Sequence, residues 1–140
     1  MTDKPFRILP RLGGATEFFW TSGKDGVLRF LRCAACDDLV HPPAPYCPKC
    51  GSDRPEPAAV SGRGTLYSFT VNHQAWDGTT EPYVIGLVAI DEQPDVRLTT
   101  NIVGCEIDEV RIGMAVEVVF ADHDPVYLPL FMPVPGEGAR

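Results

Sequence analysis

The sequence predicts a mainly β protein in which a small cysteine-containing module precedes a five-stranded antiparallel barrel. Two observations carry this prediction: paired cysteines stand close together in the first half, and runs of β-branched and aromatic residues dominate the second half. The 140 residues, 44% hydrophobic and 22% charged, suffice for one full-size core. The cysteine module is too small to fold by burial alone, so it needs a covalent or metal staple.

Residues 1–32 are predicted to form an N-terminal helical segment. A short helix is expected over about residues 16–22, because Thr16 is a candidate N-cap and Glu17 stands in the first turn. Three consecutive aromatic residues span too wide an arc for one amphipathic stripe. We expect these rings to dock the segment on its own domain, and the alternative is that they bind another chain. The candidate partner-binding residues are Phe18, Phe19, Trp20 and, in a later loop, Trp76.

Residues 33–57 contain two C-x2-C pairs separated by ten residues. Each pair supplies two thiolates from one tight turn, and four thiolates complete a tetrahedral zinc site. The four candidate metal ligands are Cys33, Cys36, Cys47 and Cys50. Because four protein ligands leave no position for water, we expect a structural Zn²⁺ in a zinc ribbon with a compact hairpin.

Two other uses of these cysteines are weighed against zinc. Cys47-Pro-Lys-Cys50 has the spacing of a redox pair, but residues 51–57 (Gly-Ser-Asp-Arg-Pro-Glu-Pro) are unsuited to the helix that such chemistry needs. Disulfides are disfavoured because the cytoplasm is reducing and the cysteine count of five is odd. His41 lies outside the ligand spacing, which indicates an ordinary loop residue.

Residues 58–134 are predicted to form the barrel. Turn residues separate the strand candidates, and no long helical pattern lies between them, which favours an antiparallel barrel over an α/β fold. A five-stranded barrel of about 75 residues is most often an OB-fold. Residues 107–112 add at most one helical turn, and residues 135–140 are expected to be a flexible tail. The predicted strands cover residues 64–71, 83–90, 97–103, 115–120 and 126–131.

Charge argues against one class of partner, and hydropathy argues against another. Residues 1–57 hold eight Lys and Arg against seven Asp and Glu, whereas residues 58–140 hold four against twelve, a net charge of −8. A barrel this acidic repels a phosphate backbone, so we expect no nucleic-acid partner. No apolar run approaches the length of a membrane span, and the first residues lack a signal-peptide pattern, so we expect a cytoplasmic protein without a membrane partner.

No group of residues in the sequence forms a catalytic motif, and we predict no catalytic residue. Cys105 stands alone, and neither His73 nor His123 is placed by sequence to act as its base, so a buried structural cysteine is favoured. The sequence contains no nucleophile elbow, no phosphate-binding loop and no H-E-x-x-H motif. The turn carboxylates are expected to form a solvated face: Asp108, Glu109, Asp122 and Asp124.

Several segments, taken in order, carry a resemblance to a known family. They are the Phe-Phe-Trp helix, the four-cysteine region with its proline-rich loop, and residues 62–70, 82–88, 111–118 and 128–131. Together they resemble the DUF35 family, in which a rubredoxin-like zinc ribbon precedes an OB-fold. The resemblance implies a scaffold subunit beside thiolase-like enzymes: thiolases, acyltransferases, or lipid-transfer-protein-like aldolases of steroid side-chain degradation. It also implies that the partner carries the catalytic residues.

The leading hypothesis is therefore a non-catalytic accessory subunit of a thiolase-fold enzyme that acts on acyl-CoA in lipid or steroid metabolism. We expect a hetero-oligomer in which acyl-CoA is bound through the partner, and no turnover by the chain alone. The first alternative is an acyl-CoA-binding module that contacts the substrate directly. The second is a single-strand nucleic-acid-binding OB domain, for which Tyr67, Phe69 and Tyr83 could stack on bases.

Overall fold

The computed structural model describes residues 9–73 and 81–135, and it confirms the mainly β architecture with its barrel. A three-stranded sheet is followed by a closed five-stranded barrel. None of the helices in these two ranges has the length and apolar character needed to span a bilayer. The strands are β1 (Arg29–Cys33), β2 (Leu39–Val40), β3 (Pro55–Ala59), β4 (Arg63–Asn72), β5 (Tyr83–Ile90), β6 (Arg97–Ile102), β7 (Ala115–His123) and β8 (Val126–Pro133).

The N-terminal helix is one short turn-rich segment packed on the barrel. Helix α1 (Glu17–Thr21) continues into a 3₁₀ helix (Ser22–Asp25), and Thr16 precedes α1 without a side-chain cap. Phe19 is buried and stacks on Phe30, with 5.9 Å between the ring centroids. The rings therefore contribute to the core of this chain.

Gly23, in the 3₁₀ helix after α1, sets how closely the segment approaches the barrel. A Cβ at this position would overlap the ring of Phe120 and would lie 2.8 Å from Cβ of Tyr127. Glycine is thus the residue that lets the N-terminal segment rest directly on β7 and β8.

The three-stranded sheet has the order β2-β1-β3, and both pairings are antiparallel. The sequence pattern predicted no strand in residues 55–59, because Pro55 and Pro57 are turn signals. The structure tolerates both prolines because β3 is an edge strand. Backbone bonds from Ala34 to the carbonyl of Arg54 and from Val60 to the carbonyl of Leu28 flank the β1–β3 ladder. These bonds show which alternate residues of β3 point their backbone groups towards β1. The two prolines lie at the other positions, whose backbone groups point towards the open edge of the sheet.

The barrel closes in the order β4-β5-β6-β8-β7. The strands predicted from sequence are confirmed, with small extensions of β4, β7 and β8 and with β6 one residue shorter. All pairings are antiparallel except β6 with β8, where Ile102 pairs with Phe131 in parallel. A bulge at Tyr67 in β4 shifts the register against β5. The core is apolar and includes Phe30, Leu66, Val88, Ile90, Val116 and Phe131, all at most 1% exposed.

The tail predicted for residues 135–140 falls almost entirely outside the described residues, which end at 135. The same is true of Trp76, because residues 74–80 are not described. The expected helical turn in residues 107–112 is a 3₁₀ turn at Ile107–Glu109.

Candidate metal centre

The structure brings the four predicted ligand cysteines together. Their Sγ atoms all lie within 4.8 Å of one another. The Sγ atoms of Cys33 and Cys50 are 3.6 Å apart, and those of Cys36 and Cys47 are 3.7 Å apart. A regular tetrahedron of thiolates with metal–sulfur bonds of about 2.3 Å has sulfur–sulfur edges of about 3.8 Å. The cluster therefore has the size and the donor set to hold one tetrahedral metal ion.

Each C-x2-C pair is held by the same backbone turn. In the first, the N–H of Asp37 donates to the carbonyl of Cys33 at 2.8 Å, and in the second the N–H of Gly51 donates to the carbonyl of Cys47 at 2.8 Å. The residue directly after each pair has a left-handed backbone conformation, with φ of 65° at Asp37 and 81° at Gly51. Glycine and, less often, aspartate adopt this conformation readily. The turns thus orient the paired thiols towards a common point.

The sulfur environment differs from ligand to ligand. Cys33 and Cys47 are buried, Cys36 is half-buried and Cys50 is exposed. Burial opposes ionisation of Cys33, but the N–H groups of Cys36 and Ala35 together with neighbouring thiols lower its pKa to about 6. The opposite holds for Cys36, where the N–H of Asp38 is outweighed by burial and the neighbouring thiols, which raise the pKa to about 12, so Cys33 is the thiol that ionises first.

The metal cluster is also part of a small second core. Its buried members are Leu31, Cys33, Val40 and Cys47, with Phe18, Cys36 and Ala44 packed against them. Two of the four buried residues are ligand cysteines, so hydrophobic burial alone gives this module little stability. Phe18 also packs against the larger core and thereby joins the two.

His41 is placed away from the metal centre, in agreement with its expected role as a loop residue. Its ring packs against Phe30 and Phe19, with centroid distances of 4.7 and 5.4 Å. Its buried Nδ1 has no hydrogen-bond partner among the described residues. Burial lowers the pKa of His41. The imidazole therefore acts as a neutral aromatic wedge between the ribbon and the N-terminal segment.

Cys105 and the turn carboxylates show no assembled site in the described parts of the chain. Cys105 is half-buried and packs against the barrel core. Burial, together with the carboxylates of Glu109 and Glu106, raises the pKa of this thiol and keeps it protonated. The four turn carboxylates are exposed, as predicted: Asp108, Glu109, Asp122 and Asp124. The cysteine cluster is the one metal-competent group within residues 9–73 and 81–135.

The three aromatic residues considered for base stacking are in different environments. Tyr67 is 50% exposed, but the guanidinium of Arg97 lies 3.8 Å from its ring centroid. Phe69 packs against the barrel core, and the hydroxyl of Tyr83 accepts a hydrogen bond from Asn72 at 2.8 Å. The barrel thus lacks a row of open rings along the strands that the structure describes.

An open cavity of about 510 Å³ lies beside the N-terminal helix and includes Phe18, Lys24 and Arg29 in its lining. The Arg29 guanidinium is already paired with both carboxylate oxygens of Asp25, at 3.2 and 3.0 Å. This pairing reduces the positive charge that the cavity offers to a phosphate.

Comparison with known proteins gives matches over both parts of the chain. Residues 20–56 match the family model described as the rubredoxin-like zinc ribbon domain of ChsH2, and residues 58–121 match its C-terminal OB-fold domain. The two matched segments correspond to the ribbon with its cysteine cluster and to most of the barrel.

Three curated relatives show the range of this similarity. A "Probable enoyl-CoA hydratase alpha subunit" of Thermomonospora curvata is 39% identical over 96% of this chain and 42% of its own length. A DUF35 domain-containing scaffold protein of Methanocaldococcus jannaschii is 37% identical over 64% of each chain. The benzoylsuccinyl-CoA thiolase subunit BbsA of Thauera aromatica is 34% identical over 50% of this chain and 49% of its own. The chain thus spans less than two thirds of the length of these relatives.

Among solved structures, a chain of the Ltp2-ChsH2(DUF35) aldolase superposes with a TM-score of 0.79 and 37% sequence identity. The superposition covers 89% of this chain and 98% of that chain. The similarity therefore includes the ribbon and the barrel together, in the same arrangement.

Proposed function

This chain belongs to the DUF35 family, and from this membership we propose that it is a non-catalytic accessory subunit of a thiolase-fold enzyme acting on acyl-CoA. The observation that carries the proposal is the similarity to a chain of the Ltp2-ChsH2(DUF35) aldolase. The superposition covers 98% of that chain, at 37% sequence identity. The names of the thiolase subunit and of the scaffold protein support the same role.

We further propose that the metal is a structural Zn²⁺ held by the four cysteines. The sulfur–sulfur distances and the all-thiolate donor set support a closed tetrahedral site. Iron also accepts four thiolates, and elemental analysis with an absorption spectrum separates the two, since Zn²⁺ is colourless. Reduced thiolates at this site need a reducing compartment, which supports a cytoplasmic location.

The proposed function is tested by expressing the chain together with thiolase-like proteins encoded near it. We expect a stable hetero-oligomer on size-exclusion chromatography, with acyl-CoA turnover by the complex and none by the chain alone. Turnover by the isolated chain, or the absence of a complex with any thiolase-like neighbour, would refute the proposal. Zinc-loaded chain must be used, because an unfolded ribbon would also abolish assembly.

A domain that serves a hydratase and contacts acyl-CoA directly is the second candidate. The relative named as a hydratase alpha subunit, matched over 96% of this chain, favours it. Against direct contact, the described cavity beside the N-terminal helix contains an arginine already paired with Asp25. Calorimetric titration of the isolated chain with acyl-CoA distinguishes the candidates: micromolar binding without a partner supports direct contact, and no heat supports the accessory role.

Nucleic-acid binding is the least supported of the three hypotheses. The barrel carries few cations, so few counterions are released on contact with a phosphate backbone. We expect no binding of single-stranded oligonucleotides stronger than micromolar at about 0.15 M salt. A submicromolar affinity that falls steeply with salt would reverse this ranking.

A further inference from the structure

Strand β8 is apolar on both faces, although only one face points into the barrel. Its sequence, Val-Tyr-Leu-Pro-Leu-Phe-Met-Pro, has no charged residue. Phe131 is fully buried in the core, so strand alternation turns Leu130 and Met132 outwards. An antiparallel strand with one face in water normally alternates apolar and polar residues, as β6 does with exposed Arg97 and Thr99. The outer face of β8 thus has the composition of a surface that is covered, and the chain itself already half-buries Leu128, Leu130 and Met132.

The neighbouring strand β7 continues this apolar surface. Val118 and Phe120 pack against the core, so Val119 between them faces outwards, where it is 37% exposed. The register places Val119 opposite Leu130 and Ala121 opposite Leu128. Residues paired in this way lie on the same face of the sheet. We call the apolar part of this surface the outer stripe: Val119, Ala121, Leu128, Leu130 and Met132. Glu117, which pairs with Met132, borders the stripe, and its carboxylate lies 3.8 Å from the guanidinium of Arg63.

Acidic residues lie at both ends of the outer stripe. At one end, exposed Asp124 lies in the turn between β7 and β8, and exposed Asp122, at the end of β7, lies opposite Tyr127 on the other face of the hairpin. Burial raises the pKa of the adjacent Tyr127, and these two carboxylates raise it further, which indicates a negative potential there.

At the other end of the outer stripe, Gly104 approaches Met132 so closely that a Cβ would lie 3.3 Å from the Cβ of Met132. The residues that follow Gly104 include exposed Glu106, Asp108 and Glu109. The carboxylates of this loop are thus brought to the Met132 end of the stripe. An apolar centre between two acidic ends is complementary to an apolar ridge between two basic ends.

We propose that the outer stripe is the surface on which the thiolase-fold partner docks, through an apolar ridge with Lys or Arg at each end. This assignment rests on the proposed function, which supplies the partner, while the stripe itself follows from strand register and burial. The acidic ends steer association and select a basic partner surface, and the apolar centre supplies the buried area.

The assignment is tested with Val119→Glu, which places a charge in the centre of the stripe at a position exposed enough to be tolerated in folding. We expect the partner complex to weaken at least tenfold in Kd while thermal melting of the isolated chain stays unchanged. The matched control is Thr70→Glu, an exposed position on β4 that pairs with β5. Asp108→Lys tests the acidic end, and we expect weaker binding with a reduced dependence on salt.

The outcomes separate this assignment from the proposed function. If the wild-type complex forms and Val119→Glu binds as tightly as Thr70→Glu, the stripe is not the docking surface, although the accessory role stands. If Val119→Glu instead dissociates a homodimer of the isolated chain, the stripe binds a second copy and the assignment is overturned. If the wild-type chain forms no complex with a thiolase-fold enzyme, both proposals fall together.

Discussion

The backbone N–H of Leu39 donates a hydrogen bond of 3.0 Å to Oε1 of Gln93, although the two residues are 54 positions apart in the chain. Leu39 is a buried residue of β2, and Gln93 lies in the turn between β5 and β6. One side-chain amide therefore ties the zinc ribbon to the barrel. Because β2 is an edge strand, this N–H depends on Gln93 for its partner.

Replacing Gln93 by Ala is expected to leave the buried N–H of Leu39 unpaired, at a cost of about 1–3 kcal/mol in the free energy of unfolding. Gln93→Glu retains an acceptor oxygen and is expected to recover most of the loss. Denaturant melts of the three proteins, loaded with metal, measure the difference. Equal stability of the Ala and Glu variants would show that the bond contributes nothing.

Removing one ligand thiol is expected to abolish metal binding. Cys50→Ser lies at the exposed corner of the cluster, so the substitution itself disturbs little packing, whereas the lost metal contributes on the order of 10 kcal/mol to a small module. We expect about one zinc per wild-type chain, none in the variant, and poor solubility of the variant. Cys105→Ser, away from the cluster, is expected to retain full metal content by elemental analysis.

Gly23→Ala is expected to destabilise the chain by about 1–3 kcal/mol, because the added methyl group overlaps the Phe120 ring. Gly26→Ala provides the comparison: Gly26 has open space around it but a φ of 79°, so its cost of about 1 kcal/mol is purely conformational. Phe120→Leu in the Gly23→Ala background should relieve the overlap. Thermal melting of the single and double variants checks this, and an unaltered Tm in Gly23→Ala would contradict the packing.

The stability of the folded chain should decrease as the pH is lowered, and protonation of His41 should explain part of this decrease. Burial lowers the pKa of His41 in the folded chain below its ordinary 6.5, so the unfolded chain binds a proton first as pH decreases. Its contribution is therefore complete above about pH 6.5 and is lost as pH falls from there through the lower folded pKa.

The variant His41→Phe keeps an aromatic ring against Phe19 and Phe30 while removing the titration. We expect a smaller loss of Tm between about pH 7.5 and pH 5.5 than in the wild type. His73→Gln alters an exposed histidine and should behave like the wild type. Protonation of the cysteine ligands acts on all three proteins alike, so only the difference between variants is interpreted. Identical losses in all three would rule out a contribution from His41.

Trp20→Ala is expected to lower the stability of the isolated chain by about 2 kcal/mol, because the indole packs edge-on against Phe19 at 4.9 Å and lies partly against the core. Whether Phe18, Phe19, Trp20 or Trp76 also binds a partner stays a prediction. A pull-down with the thiolase-like enzyme, paired with thermal melts of Trp20→Ala and Trp76→Ala, separates docking from folding. A variant that melts normally and loses the partner marks an interface residue.

The barrel and the ligand set could be predicted from sequence because both leave local patterns. Strand β5 is a run of β-branched and aromatic residues between turn signals, and its predicted bounds, 83–90, equal those observed. The cysteines are recognisable because two tight turns fix their spacing. Gly51, directly after the second pair, supplies the left-handed residue of its turn, with a φ of 81°.

The remaining features depend on contacts between distant parts of the chain. Strand β3 was missed because its prolines indicate a loop until an adjacent strand supplies the pairing. No local pattern shows that Gln93 reaches Leu39, or that Gly23 meets Phe120. The apolar run of β8 was visible in sequence, but the direction in which Leu130 points follows only from the register with β7.

The two prolines at the edge of β3 restrict how any protein can use the ribbon sheet. An added strand forms a continuous ladder only if the edge offers N–H donors at alternate positions, and Pro55 and Pro57 have none there. The β3 side of the ribbon is therefore closed to extension by a foreign strand, whether from a misfolded copy or from an extended peptide. Any protein that binds this side must recognise its side chains and its shape.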